Sequence, residues 1–185
     1  MKNILAFAAI ASLSATAFAA SPTVDASFSR DYGSESKLTV SQATNVGTFD
    51  IGVLSTRYRQ TVPGMDDSSG YELGYSNGTK VGPFALTGRI GYGRLTDVNG
   101  GGGFFQSTNY VTIGGEAKLP VTSNINAYAN YRHRNPRGDG PIQNRVQAGA
   151  EFAVAKGVAA RLGVSHARQF NDKGTGVNVS VNYTF

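Results

Sequence analysis

From Val24 to the last residue, apolar and polar side chains alternate in short runs. The closing run, GVNVSVNYTF, sets Val177, Val179, Val181, Tyr183 and Phe185 against Asn178, Ser180, Asn182 and Thr184. A period of two is an extended strand with one apolar and one polar face. The same reading applies to the runs Val24–Ala26–Phe28, Leu38–Val40, Phe49–Ile51–Val53 and Tyr71–Leu73–Tyr75. It continues through Phe84–Leu86–Ile90–Tyr92 (with Gly88 in register), Val111–Ile113–Ala117–Leu119 and Ile125–Ala127–Ala129–Tyr131. Val146 to Val154 and Val158 to Val164 complete the set, which predicts ten strands and no helix after Ala20.

The connections have their own pattern. LTVSQATNVGTFDIGV, YELGYSNGTKVGPFALTGRIGYG, GGEAKLPVTSNINAYANY and GAEFAVAKGVAARLGV each read as strand, tight turn, strand, with Asn, Gly, Thr, Pro or Lys at the turn. Between them lie more polar links: RDYGSES, RQTVPGMDDSSG, TDVNGGGGFFQSTN, RNPRGDGPIQ and QFNDKGTG. One end of the sheet is therefore expected to carry tight turns and the other loops.

A chain of 185 residues is enough for one domain. It has no cysteine, so no disulfide framework supports it, and only 16% of its residues are charged. The opening MKNILAFAAIASLSATAFAA is a separate object. Lys2, a short apolar core and Ala17-Phe18-Ala19 fit a cleaved secretory signal over residues 1–19, leaving a domain over 20–185. Losing Lys2 takes the formal charge from +5 to +4. No later segment approaches the roughly 18 apolar residues of a membrane helix.

The apolar face is narrow, rich in Ala and Val, and poorly suited to a soluble core. The opposite face carries Gly, Ser, Thr and Asn with charges of both signs: Asp25, Lys37, Asp50, Glu72, Arg89, Glu116, Lys118, Arg132, Arg145, Glu151 and Arg161. Five acids against six bases suit the inside of a barrel whose outside faces lipid. Phe49, Phe84, Tyr183 and Phe185 fall near the tight-turn ends; Phe28, Tyr71, Tyr92, Tyr110 and Tyr131 fall near the loop ends. Two aromatic bands around an aliphatic belt are what two membrane interfaces select. In lipid every backbone group must be paired, so the sheet has to close on itself.

The final stretch, with Val179, Val181, Tyr183 and terminal Phe185, resembles the C-terminal assembly signal of Gram-negative outer-membrane β-barrels. With the leader and the two kinds of connection, the resemblance covers the whole mature chain, and it points to the small OmpA/OmpX/opacity-like barrels. It implies a closed antiparallel up-and-down transmembrane barrel that reaches the outer membrane through the assembly machinery. Ten strands is the favoured count. Eight, as in the familiar small barrels, would follow if residues 23–42 formed a plug instead.

Chemistry is sparse. His133 and His166 have no serine two residues on, as the lipid A deacylase kind would require, and Ser165 lies on the opposite face from its neighbour His166. Asp66, Asp67 and Asp172 stand in links without a motif, and Asn99 to Phe105 lacks what a phosphate loop needs. We expect no enzyme, metal or cofactor. Arg57, Arg59, Arg94, Arg134, Arg137 and Arg168 form a basic rim at the loop ends, suited to lipopolysaccharide phosphates. Nucleic acid is not an expected partner, because the charge sits on a membrane-bound rim. The Arg137-Gly138-Asp139 triplet raises adhesion as a minor reading. The expected role is structural or surface-interacting, in a monomer with at most a narrow pore. A small-solute channel is the alternative.

Overall fold

The computed structural model describes residues 21–31, 33–58, 68–97, 107–137, 142–169 and 172–185. The expected leader, Arg59, Asp66, Asp67, the Asn99–Phe105 stretch, Gly138 and Asp139 lie outside the described residues, as does the Asp172 side chain.

Ten strands follow in order: β1 (Thr23–Arg30), β2 (Gly33–Thr44), β3 (Gly47–Tyr58), β4 (Ser68–Val81) and β5 (Phe84–Asp97), then β6 (Ser107–Pro120), β7 (Ile125–Arg137), β8 (Gln143–Ala155), β9 (Val158–Gln169) and β10 (Asp172–Thr184). Each pairs antiparallel with its sequence neighbours, and β1 closes the sheet against β10. The closing seam runs from Thr23 opposite Thr184 to Arg30 opposite Val177. The first hairpin is therefore part of the wall, which settles the count at ten.

The alternation sorts side chains as period two requires. On β10, Val177, Val179, Val181 and Tyr183 are exposed on the outside, whereas Asn178 is buried inside. Ile113 and Leu162 point outward and are 56% and 57% exposed. Among the described residues Leu162 has no second layer of protein to pack against, because the ten strands make one closed sheet. Tyr71, Tyr92, Tyr131 and Phe28 stand outward towards the loop end; Phe49, Phe84 and Tyr183 stand outward towards the turn end. Tyr183 and Phe185 meet edge to face at 4.8 Å.

Two expectations need correction. The links RDYGSES and QFNDKGTG are mostly strand, leaving only residues 31–32 between β1 and β2 and 170–171 between β9 and β10. Backbone pairing needs no apolar side chain once a hairpin rises above the greasy belt, so polar residues such as Ser36 and Thr175 continue the ladder. Tyr110 does not belong to the outer aromatic band: it is fully buried inside the barrel. Its neighbour Val111 faces outward, so parity sends Tyr110 in.

Tight turns are set by glycine where the chain reverses. Gly82 and Gly157 adopt φ of 58° and 74°, in the left-handed region that side chains with a Cβ avoid.

Candidate functional site: the charged lumen

All eleven charged residues expected inside do point inward, and three more join them: Asp31, Glu35 and Arg134. Among the described residues the interior thus holds seven acids (Asp25, Asp31, Glu35, Asp50, Glu72, Glu116, Glu151) and seven bases (Lys37, Arg89, Lys118, Arg132, Arg134, Arg145, Arg161).

They form three networks along the axis. At the loop end Glu35 receives three guanidinium groups. Arg132 grips it with both terminal nitrogens, at 2.7 and 3.1 Å; Arg134 donates at 3.2 Å and Arg145 at 3.0 Å. Arg145 also meets Asp31 at 2.9 Å, and the Ser165 hydroxyl donates to that carboxylate at 2.9 Å. Gln143 accepts from Arg132 at 3.0 Å. Such shared, bidentate pairing suits arginine, whose planar fork matches carboxylate geometry.

At mid-height Glu72 is fully buried and receives Lys37 at 2.6 Å, Arg89 at 2.8 Å and the Thr112 hydroxyl at 3.0 Å. Arg89 reaches on to Asp50 at 2.5 Å. Gly74 makes room for this pair, since a Cβ there would lie 2.5–2.6 Å from the Asp50 and Arg89 side chains. Towards the turn end, Glu151 takes Lys118 at 2.9 Å and Arg161 at 2.6 Å, and Arg161 bridges to Glu116 at 2.8 and 3.1 Å. Asp25 stands apart. It makes no ion pair among the described residues and is hydrogen-bonded by Ser180.

Above the mid-height network the inward side chains are buried. Leu54, Leu95 and Tyr110 form a buried apolar cluster inside the barrel. Arg134 lies 4.6 Å over the Tyr110 ring, a cation–π contact in a dry setting. Gly93 leaves the ring its space, since a Cβ there would fall 2.4 Å from it. Around this cluster Ser68, Thr56, Thr108, Ala167 and Gln169 are also buried. Below it the lumen opens into a cavity of about 460 Å³, lined mainly by Asp, Lys, Arg, Asn, Ser and Thr side chains.

The basic rim divides. Arg57, Arg94, Arg137 and Arg168 are exposed at the loop end. Arg134 is not part of it: at 3% exposure it sits inside, on Glu35. It is two residues from Arg132 and so shares its inward face. His133 and His166 face outward, hydrogen-bonded to Asn144 and Thr175 at 2.8 Å each. Ser165 is buried on the other face, away from both imidazoles. Among the described residues no group of three or more His, Asp or Glu is placed to hold a metal.

No family model and no curated protein matches the chain. Among solved structures, it is similar to the NanC porin (TM-score 0.49, 11% identity, covering 89% of this chain and 100% of that one). It is also similar to the KdgM porin (0.48, 13%, 88% and 99%). A third likeness is to the N-terminal β-barrel domain of Pseudomonas aeruginosa OprF (0.38, 9%, 89% and 97%). These are outer-membrane barrels, and likeness this distant says nothing of what the chain binds or transports.

Proposed function

We propose that this chain is an integral outer-membrane β-barrel with a structural or surface-interacting role, and that its lumen is closed to solutes at the loop end. The observation that carries this reading is the inversion of the usual arrangement: among the described residues, fourteen charges lie inside a closed wall, with Ile113, Leu162 and Val179 exposed outside. A surface of that kind is stable only against hydrocarbon. The tight-turn end faces the periplasm, and Val179, Val181, Tyr183 and Phe185 serve the assembly machinery as its recognition strand. The leader over 1–19 directs export. The protein works as a monomer, without cofactor and without catalysis.

Two experiments test this. The protein should fractionate with outer membranes and migrate faster in detergent gels before boiling than after; recovery from the soluble periplasm sinks the reading. In planar bilayers it should produce no stable discrete openings.

The cavity in the turn half favours a second reading, a small-solute channel. That reading requires the Leu54–Leu95–Tyr110 cluster to part, and steady openings of the unmodified protein would establish it.

A further inference from the structure

We propose that the cavity in the turn half of the lumen is a binding site for one small hydroxylated ammonium compound, of the size of an amino sugar, with Asp25 as its counter-ion. This goes beyond the reading above by naming a ligand, and takes from it only that solutes arrive from the turn end. Among the described residues, the mid-height network sets two acids, Asp50 and Glu72, against two bases, Lys37 and Arg89. The turn-end network sets Glu116 and Glu151 against Lys118 and Arg161. Each network is neutral, and Asp25, half-buried in the cavity wall, is left over. The cations that face Asp25 are Arg161 and Lys37, and both are held by other carboxylates. Glu72 holds Lys37 at 2.6 Å; Glu151 and Glu116 hold Arg161 at 2.6 and 2.8 Å. The one surplus base belongs to the loop-end network, where Arg132, Arg134 and Arg145 share Glu35 and Asp31. The wall around Asp25 therefore carries one uncompensated negative charge, and such a charge is poorly served away from bulk water without a partner. A cation from outside the chain would supply that partner.

The neighbouring groups define the rest of the ligand. Thr39 and Asn182 lie directly across from Asp25 on β2 and β10, and Ser27 lies opposite Ser180 one inward residue further along. All four line the cavity. Asn178, the next inward residue of β10, also lines it; it is buried, and its Oδ1 accepts from no group among the described residues. Hydroxyl and amide oxygens accept from a primary ammonium, which has three donors, and exchange hydrogen bonds with hydroxyl groups. A quaternary ammonium needs aromatic faces instead, and the Tyr128 ring on this wall is already taken by Arg161 at 5.1 Å. A bare divalent ion would lack ligands, since among the described residues no group of three or more His, Asp or Glu is placed to hold it. The volume of about 460 Å³ falls within the roughly 300–1,000 Å³ usual for small-molecule sites and leaves room for a hexose. Thr23 and Ser41, near the turn-end limits of β1 and β2, also line the cavity, so a solute reaches it from that side.

The test is equilibrium dialysis of the purified full barrel in detergent micelles against glucosamine, glucose and glucuronate, probes of similar size that differ in charge. The unmodified protein should bind one glucosamine per barrel, glucose roughly tenfold more weakly, and glucuronate more weakly still. Asp25→Asn, checked for folding by the gel shift on boiling, should bring glucosamine down to the affinity of glucose. Ser27→Leu keeps the carboxylate but fills the space beside it, and should abolish binding of both sugars. Arg168→Gln, exposed at the loop end, should change nothing. Equal binding of the three sugars, no binding of any, or a glucosamine preference that survives Asp25→Asn overturns the proposal. The assay uses solubilised protein, so its failure leaves the outer-membrane reading standing, whereas recovery from the soluble periplasm strikes that reading and not this site.

Discussion

The two halves of the lumen are made from one alternating pattern, yet they differ in kind. In the loop half, Glu35 and Asp31 hold three arginines whose side chains keep only 4–15% of their exposure, beside the buried Tyr110, Leu54, Leu95 and Ala167. In the turn half, Glu116, Glu151, Lys118 and Arg161 pair just as closely, but their side chains keep 10–31% of their exposure. The cavity also lies mostly on that side. Losing a partner among buried charges strands the rest in a poor solvent, whereas water stands in for a lost partner in a wet site. In the role proposed above, one half is the stopper and the other a hydrated vestibule.

The largest effect should come from Glu35→Gln, which leaves three guanidinium groups around a neutral amide. A loss of about 3–5 kcal/mol is expected, read as a lower temperature for the heat-induced gel shift. Tyr110→Ala should cost a similar amount, about 3–5 kcal/mol, by emptying the apolar cluster. It should also produce openings in planar bilayers that the unmodified protein lacks; silence in both would mean that the stopper lies elsewhere. Gly93→Ala drives a methyl group into the Tyr110 ring and should cost about 1–3 kcal/mol by the same gel assay. The turn half should be more forgiving. Glu151→Gln is expected to cost about 1 kcal/mol, since water reaches Lys118 and Arg161. Asp25→Asn, which breaks no ion pair among the described residues, should fall within about 0.5 kcal/mol of the parent. If Glu151→Gln proved as damaging as Glu35→Gln, the contrast between the halves would fail.

The strand pattern was legible in the sequence because a period of two, repeated ten times, leaves the chain few alternatives. Parity alone placed Arg89, Glu72, Arg161 and their companions on the inner face. Parity and position along the strand disagree at three residues. Glu35 is two residues from Lys37 and Arg134 two from Arg132, so both belong inside on the rule already in use. Their places near strand ends point instead to a link and to the rim. Tyr110 lies at the level of the interface aromatics, but Val111 beside it fixes its direction inward. The stopper itself was not readable. It depends on which inward residues share an axial level, a matter of strand tilt and register that alternation within single strands does not carry. The Gly93–Tyr110 fit is of that kind, since it joins β5 to β6 across the seam between them.

The account stands on the direction of the side chains, and a chain with no cysteine allows that to be measured cleanly. Single cysteines at Ile113, Leu162 and Val179, and at Ser180 and Thr112, would carry a fluorophore in barrels reconstituted into bilayers of brominated lipid. The first three should be strongly quenched by the brominated chains and the last two hardly at all. Quenching at Ser180 and Thr112 with none at Ile113, Leu162 and Val179 would contradict the account.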